Sequence, residues 1–177
     1  MDDHEPATTV FAQVALEHVD ALYGYAMTLT HDRAAAEDLV QETYLRAVRA
    51  FDRLAPDSNL KAWLFAIMRN AWLNELRHAR SGPRFVAIEG EDAEGEAIGA
   101  APIADPFALY ARKEAHERIH AALASLPAHF REIVLLRDIE GFSYHEIAAL
   151  LECPAGTVMS RLSRARRAML RSYIPTA

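Results

Sequence analysis

The sequence predicts an all-α protein of two small helical domains joined by a flexible acidic linker. Two stretches, residues 10–80 and 106–174, place apolar residues at helical spacing, and neither alternates with period two for long, so no sheet is expected. Between them, residues 81–106 contain four Gly and three Pro and show no helical apolar period. Loops of this length are uncommon inside a compact domain, which favours an interdomain linker over a surface loop.

Charge is distributed unevenly along the 177 residues, whose net charge is −6. Residues 1–80 carry a net −4, residues 81–107 a net −5 and residues 108–177 a net +3. We therefore place the first domain at 8–80, the acidic linker at 81–107 and the second domain at 108–174. A chain that is basic throughout would bind any DNA through counterion release, whereas an acidic body with one basic part should bind poorly alone and need a partner.

Composition argues against several classes of protein. No apolar run approaches the roughly 20 residues of a membrane span, so no membrane insertion is expected. The first residues, MDDHEPATTV, are acidic and polar and do not resemble a secretory signal. The single cysteine, Cys153, cannot form an internal disulfide and fits a reducing cytoplasm. Its position near a helix N-terminus leaves a redox role as a hypothesis beside simple packing.

The first domain is predicted to contain three helices. A helix over 10–30 carries apolar residues at helical spacing, namely Val14, Leu22, Tyr25, Ala26 and Leu29. The second helix starts at the N-cap Asp32. Its apolar stripe consists of Ala36, Leu39, Val40, Thr43, Tyr44, Ala47, Val48 and Phe51. Pro56 breaks the pattern, and the third helix, over 60–80, becomes polar towards its end.

The second domain is predicted to contain four helices. One covers 105–126, and the next begins near Pro127 and stops at Gly141, as helix start and stop rules prefer. Ser143 and Glu146 form a capping box that starts the third helix. The fourth helix follows a tight turn around Cys153, Pro154 and Gly156, so that the last two helices form a helix–turn–helix.

The last helix has two unlike faces on a helical wheel. The apolar face comprises Val158, Leu162, Ala165 and Met169. The opposite side carries Thr157, Ser160, Arg161, Arg164, Arg167 and Arg171. Hydroxyls and guanidinium forks suit contacts with phosphates and guanines in a DNA major groove. A solvated basic face at the end of a bundle is the alternative, and the helix–turn–helix frame favours DNA binding over it.

Three segments together resemble the extracytoplasmic-function (ECF) sigma factors, the compact group of the sigma-70 family. AEDLVQETYLRAVRAFDRL resembles their region 2.1–2.2, and NLKAWLFAIMRNAWLNELR resembles regions 2.3–2.4. The stretch from LPAHFREIV to SRARRAML resembles region 4. The resemblance covers nearly the whole chain and implies a bacterial cytoplasmic sigma factor with sigma region 2 in the first domain and region 4 in the second. Such a protein binds core RNA polymerase, directs it to promoters and helps open the duplex; no catalytic site and no cofactor are expected.

The resemblance implies a polymerase-binding face on the DLVQETYLRA helix, which in the family docks on the clamp coiled coil of the β′ subunit. The matching residues are Asp38, Gln41, Glu42, Leu45 and Arg46. Composition alone favours an ordinary solvated helix face with i,i+4 pairs such as Glu42–Arg46, and the motif reverses that preference. The implied partners are core RNA polymerase, through its β′ clamp and β flap, promoter DNA, and an anti-sigma factor that controls a stress or envelope response.

The second helix of the helix–turn–helix is implied to read the upstream (−35) promoter element. The matching residues are Arg137, Thr157, Ser160, Arg161, Ser163, Arg164 and Arg167. Among them, Arg137 is a phosphate contact from the helix that precedes the motif. Relatives often have a basic residue where Met159 stands, and some have an aromatic residue where Ser163 stands. The resemblance therefore does not imply the −35 sequence itself.

The downstream (−10) element is implied to be read as a single strand with flipped bases. Such recognition needs a pocket, a polar edge and positive charge for the backbone. The residues placed there are Ser58, Asn59, Lys61, Trp63, Arg69, Asn70, Asn74, Arg77 and Arg80. We expect Asn70 to contact a base and Arg77 and Arg80 to contact phosphates. Aromatic residues at helical spacing are more often core than stacking platforms, and Trp63 is the strongest stacking candidate.

Three other functions fit parts of the sequence. HERIH, His116–His120, matches the H-E-x-x-H motif of zinc peptidases with Glu117 as the base, but no convincing third ligand follows. A sigma-like mimic would bind an anti-sigma factor in place of polymerase, and the intact basic face argues against it. A dimeric helix–turn–helix repressor would need a dimerisation or ligand-binding domain, and none is evident.

Overall fold

The computed structural model describes residues 11, 14–55, 57–81, 118, 119 and 121–173. The chain divides into two units, with the main boundary between residues 93 and 94. We call the helices on its two sides the N-terminal unit (11–81) and the C-terminal unit (118–173). Every regular element within these ranges is helical, which confirms the predicted fold class. Pro56 and, except for its first residue, the predicted linker 81–107 lie outside the described residues.

The N-terminal unit begins with a short helical segment (residues 11 and 14–16) that the sequence did not separate from the next helix. Three longer helices follow: α1 (Val19–Thr30), α2 (Arg33–Ala50), extended by a 3-10 turn (Phe51–Arg53), and α3 (Leu60–Ser81). The prediction of one helix over 10–30 is wrong, because the chain turns at Glu17 and His18. The turn buries Phe11 and Ala15 and leaves Val14, a predicted core position, exposed.

The core of the N-terminal unit lies where α1, α2 and α3 pack against one another. Tyr25 and Phe65 are fully buried there, and their rings stack with centroids 4.9 Å apart. The buried side of α2 consists of Ala36, Leu39, Thr43 and Ala47. The Thr43 hydroxyl donates to the Leu39 carbonyl at 2.7 Å, so this buried polar group is satisfied. The centre of the predicted stripe is therefore confirmed.

Side-chain hydrogen bonds fix where the helices of this unit start. The predicted N-cap is confirmed, because Asp32 Oδ1 accepts from the Ala35 N–H at 2.8 Å. The Tyr44 hydroxyl donates to the Ala15 carbonyl at 2.7 Å and so ties the short first segment to α2. Burial of this phenol raises the pKa of Tyr44 above its ordinary value.

The C-terminal unit starts with helical residues 118, 119 and 121–124. It continues with α4 (Ala128–Val134), a π-helical extension (Leu135–Ile139), α5 (Tyr144–Leu150) and α6 (Ala155–Tyr173). The π-helical extension was not predicted; its last turn is closed by the Glu140 N–H, which donates to the Leu135 carbonyl at 2.9 Å. It ends at Gly141, whose φ of 78° suits a residue without Cβ, as the predicted stop implied.

The guanidinium of Arg131 caps the helical segment that precedes α4. Its Nε donates to the Leu123 carbonyl at 3.0 Å, and its Nη2 donates to the carbonyls of Ala124 (2.7 Å) and Leu126 (3.1 Å). The last carbonyls of a helix have no partner within the helix, so a cationic donor at this end satisfies them. Arg131 therefore fixes how the chain turns into α4.

The helix–turn–helix is formed by α5 and α6. The predicted capping box starts α5: the Ser143 N–H donates to Glu146 Oε2 at 2.7 Å, and the Glu146 N–H donates to Ser143 Oγ at 3.2 Å. The helix ends in a Schellman motif, in which the Cys153 N–H donates to the Ala148 carbonyl at 3.0 Å. Glu152 occupies its left-handed position with a φ of 52°, where glycine is the usual residue.

Candidate functional site

The two predicted faces of α6 are confirmed by burial. Val158, Leu162 and Ala165 are buried in the C-terminal unit. On the other side, Ser160, Ser163, Arg164, Arg167 and Arg171 are exposed, while Thr157 and Arg161 are half-exposed. The exposed side of α6 therefore presents guanidinium groups and hydroxyls along the whole helix.

The two serines of this face have different hydrogen-bonding capacities left for a ligand. Ser160 Oγ donates to the Thr157 carbonyl at 3.0 Å, which leaves its acceptor lone pairs. Ser163 Oγ accepts from Arg167 Nη2 at 3.1 Å, which leaves its O–H as a donor. The face can thus offer an acceptor and a donor to base edges, and the donation from Arg167 holds its guanidinium close to α6.

Arg137, the predicted phosphate contact, lies in the π-helical extension and is half-buried. Its Nη1 donates to the Phe142 carbonyl at 2.7 Å, and its guanidinium carbon lies 4.7 Å from the centroid of the Tyr144 ring. Both contacts hold the turn between the extension and α5, the second as a cation–π interaction. Arg137 therefore has a structural role at this turn.

Arg166 points away from the basic face and pairs with Asp138 of the π-helical extension. Its Nε donates to Asp138 Oδ2 at 3.0 Å, and its Nη2 donates to Asp138 Oδ1. These bonds raise the pKa of Arg166 above its ordinary value. Sequence analysis missed this ion pair, because the partners are 28 positions apart and the extension that brings them together has no sequence signal.

The predicted −10 residues on α3 lie on different sides of the helix. Trp63, Asn70, Asn74 and Arg77 fall within about 60° of one another at 100° per residue. Asn70 and Arg77 are exposed, and Arg77 Nη1 donates to Asn74 Oδ1 at 2.7 Å. Trp63 is half-buried at the same side of the helix. The structure therefore brings an aromatic ring, two amides and one cation into a single line.

The other predicted −10 residues do not join this line. Arg69 lies about 100° from Asn70, and Lys61 lies on the opposite side, with its Nζ 6.0 Å from the centroid of the buried Phe65 ring. Asn59 is the N-terminal cap of α3, since its Oδ1 accepts from the Ala62 N–H at 3.1 Å. Ser58 is exposed next to it. The side chain of Arg80 lies outside the described residues.

The predicted polymerase-binding residues form one exposed face of α2. Asp38 and Gln41 are exposed, and Leu45 is 54% exposed. Glu42 Oε1 and Arg46 Nε lie 2.6 Å apart, as the i,i+4 spacing predicted. Both partners of this pair are about 40% exposed, so it contributes little to stability.

Val48 belongs to this exposed face, although the sequence analysis placed it in the core stripe. It is 44% exposed and lies three residues after Leu45 on the same side of α2. On a helical wheel Val48 stands about 130° from the centre of the buried stripe, so a stricter angular criterion would have found it. Leu45 and Val48 together give the face an apolar centre.

An apolar groove of about 430 Å³ lies within the C-terminal unit. It is lined by Ile119, Ala122, Leu123, Val134, Asp138, Ile139, Arg166, Met169 and Leu170. Ile119, Ile139 and Leu170 are large apolar residues that are 46–60% exposed. The sequence did not predict this groove, because the π-helical extension places Ile139 at its edge.

The zinc-site hypothesis rests on His116, Glu117 and His120, which lie outside the described residues. Within the described ranges, no group of three His, Cys, Asp or Glu side chains could hold a metal ion. Cys153 is half-exposed and is not in a disulfide. Among the helices that the structure describes, none is long and apolar enough to cross a membrane.

Comparison with known proteins matches both units. The family model of sigma-70 region 2 matches residues 14–82, and that of sigma-70 region 4 matches residues 116–169. The chain is 38% identical to an ECF RNA polymerase sigma factor, EcfG, of Rhodopseudomonas palustris, over 91% of this chain and 83% of the relative. It is 32% identical to the RNA polymerase sigma-H factor of Pseudomonas aeruginosa, over 93% of this chain and 86% of that protein.

A solved structure is also similar over most of its length. The sigma factor RpoE of Bartonella quintana, crystallised in complex with the anti-sigma factor NepR, is 32% identical to this chain. The alignment covers 92% of this chain and 95% of RpoE, with a TM-score of 0.66.

Proposed function

Because the chain belongs to the ECF sigma factors of the sigma-70 family, we propose that its surfaces divide promoter recognition among α2, α3 and α6. Sigma factors are transcription initiation factors rather than catalytic enzymes. The observation that carries the proposal is the exposed basic side of α6, set on a helix–turn–helix in a chain whose net charge is −6. An acidic chain with one basic face binds DNA weakly on its own, so recognition depends on the polymerase.

The upstream element is read by the N-terminal half of α6. In helix–turn–helix proteins the N-terminal residues of the second helix contact base edges in the major groove. Ser160, Ser163 and Arg164 are exposed in that half, with one hydroxyl able to accept and the other able to donate. Arg161 flanks them, and Arg167 lies one turn further along, where it contacts a phosphate.

The downstream element is read by the line of side chains on α3. Trp63 and Arg77 are 14 residues apart, which corresponds to about 21 Å along the helix. That length equals about six nucleotides at 3.4 Å each. The exposed amide of Asn70, in the middle of the line, reads a flipped base, and Arg77 holds the backbone. Trp63 stands at the end of the line nearer the loop and offers an aromatic ring on which a base can stack.

Core polymerase binds to the exposed face of α2. Its apolar centre, Leu45 and Val48, is surrounded by Asp38, Gln41 and the Glu42–Arg46 pair. An apolar centre with a polar rim is the usual composition of a protein–protein interface. We assign this face to the clamp of the β′ subunit, as in the sigma factors that the helix resembles.

The apolar groove of the C-terminal unit is the proposed seat of the β flap. Exposed apolar patches of this kind mark protein–protein contacts, and an amphipathic helix is the segment that fits such a groove. Ala122 and Val134 are the buried residues of its lining, and the Asp138–Arg166 pair provides a polar edge. Replacement of Ile139, the most exposed apolar residue of the groove, by glutamate should weaken initiation at promoters that depend on the −35 element.

Control by an anti-sigma factor is proposed from the relatives. RpoE of Bartonella quintana was crystallised with NepR, and CnrH was solved with the cytosolic domain of CnrY. We propose that a protein of this kind covers the α2 and α6 faces of this chain in the bacterial cytoplasm and releases it under envelope or other stress. We also propose the two domains 8–80 and 108–174, with residues 81–107 as the linker between them.

Run-off transcription with purified bacterial core polymerase tests the proposed function. Core polymerase with this chain should give transcripts from a subset of a promoter library. Arg164→Ala and Asn70→Ala should abolish them, whereas Arg33→Ala, which removes an exposed arginine outside the proposed surfaces, should not. If the chain neither binds core polymerase nor starts transcription, the proposal fails, and a mimic that captures an anti-sigma factor becomes the better account.

A further inference from the structure

Met159 is an exposed apolar residue on the helix that otherwise presents polar groups to DNA. It is the fifth residue of α6, and 48% of its surface is exposed. The core is filled at this point by its neighbour Val158, which is fully buried. Met159 is not among the residues that line the apolar groove. Neither the core nor the groove therefore accounts for this side chain.

The position of Met159 directs it to the part of α6 that enters a major groove. On the helical wheel it stands about 40° from Ser163 and about 20° from Arg166, so it lies at the border of the proposed reading residues, next to Ser163. Helical side chains lean over the preceding turn, towards the helix N-terminus. The surface there is open, because a Cβ added to Gly156 would meet no atom within 4 Å. The thioether thus projects towards the end of the helix that contacts base edges.

The chemistry of a thioether selects one feature of the major groove. Its sulfur is only a weak acceptor, so it cannot replace the hydroxyls or guanidinium groups in reading donors and acceptors. The C5-methyl of thymine is the apolar feature that base pairs present in this groove. Methionine is flexible and adapts its shape to an apolar contact.

We propose that Met159 reads a thymine of the −35 element through the C5-methyl group of that base. This inference rests on the proposed function and deepens it, since it names a specificity determinant that Ser160, Ser163 and Arg164 do not supply. Burial of one methyl group corresponds to about a fourfold change in affinity. Removal of the thymine methyl and removal of the methionine side chain should therefore lower the affinity by similar factors, and removal of both should lower it no further than either change alone.

The test uses deoxyuridine, which differs from deoxythymidine only by this methyl group. A −35 sequence is first selected by the full chain with core polymerase from a promoter library. Each thymine of the selected element is then replaced singly by deoxyuridine, and holoenzyme affinity is measured for wild type and Met159→Ala. Replacement of one particular thymine should lower holoenzyme affinity about fourfold with wild type and should leave it unchanged with Met159→Ala. Leu16→Ala removes another exposed apolar side chain, from the N-terminal unit, and should retain the full deoxyuridine effect.

A second variant tests the inference through the base that is selected at this position of the −35 element. Met159→Arg should change the selected base at that one position from thymine to guanine, because arginine binds guanine O6 and N7. The inference is overturned if Met159→Ala keeps the deoxyuridine effect, if no thymine is sensitive, or if Met159→Arg leaves the selected base unchanged. Failure of wild type to bind any promoter with core polymerase would instead overturn the proposed function, and the inference with it.

Discussion

Glu152 and Gly141 share a left-handed backbone in the C-terminal unit and should respond oppositely to substitution. Glu152 has a φ of 52° at the end of α5, and Gly141 has a φ of 78° at the end of the π-helical extension. A side chain in this conformation costs roughly 1 kcal/mol, which glycine avoids. Glu152→Gly should therefore stabilise the unit by about 1 kcal/mol, and Gly141→Ala should destabilise it by about the same amount. A Cβ added to Gly141 meets no atom within 4 Å, so the second effect is conformational only.

Urea unfolding of the full chain, followed by a probe in the C-terminal unit, measures both changes. The control is Glu152→Ala, which removes the same charge but keeps a Cβ at the left-handed position. If the reasoning is right, Glu152→Gly is more stable than Glu152→Ala by about 1 kcal/mol. Equal stabilities of Glu152→Gly and Glu152→Ala would refute it, because the effect would then come from the charge and not from the backbone.

Four further outcomes are expected. Arg131→Ala should destabilise the C-terminal unit by about 2 kcal/mol in urea unfolding, since carbonyls capped by a charged donor lose their partner, and Arg131→Lys should restore only part of this. Tyr44→Phe should lower the free energy of unfolding of the N-terminal unit by about 1 kcal/mol near neutral pH. Because burial raises the pKa of Tyr44, the wild type should lose stability as the pH rises above 10, the ordinary pKa of tyrosine, and Tyr44→Phe should not show this loss. Arg167→Ala should lower the slope of log affinity against log salt by about 0.9 in holoenzyme binding to duplex promoter DNA, and an unchanged slope would place Arg167 away from phosphates. Val48→Asp should weaken core polymerase binding at least tenfold, by about 1.4 kcal/mol or more, in a titration assay while thermal unfolding stays unchanged.

Local sequence signals were sufficient where a short segment determines its own structure. The N-cap of α2 at Asp32 and the capping box of Ser143 and Glu146 are confirmed by hydrogen bonds between residues three positions apart. The two faces of α6 follow from helical geometry alone. In each case the interaction lies within one or two helical turns, so spacing determines the contact.

The features that the sequence analysis missed depend on contacts distant in sequence or on unusual backbone. The turn at Glu17 and His18 contains neither Gly nor Pro, the residues that would have predicted it. Glu152 occupies a left-handed position at a helix end, where glycine is the usual residue. The π-helical extension has no pattern of its own, yet it sets both the Asp138–Arg166 pair and the edge of the apolar groove. The groove that we propose for a protein partner therefore could not be predicted from the sequence alone.

Chemical footprinting of the holoenzyme on a selected promoter tests the division of labour between α3 and α6 most directly. Wild type should protect the −35 element and make thymines of the −10 element reactive to permanganate, which reports unpaired bases. Arg164→Ala should lose the upstream protection, and Asn70→Ala should keep that protection while losing the downstream reactivity. If the two variants weaken both signals equally, or if wild type gives neither signal, the assignment of the −35 element to α6 and of the −10 element to α3 is contradicted.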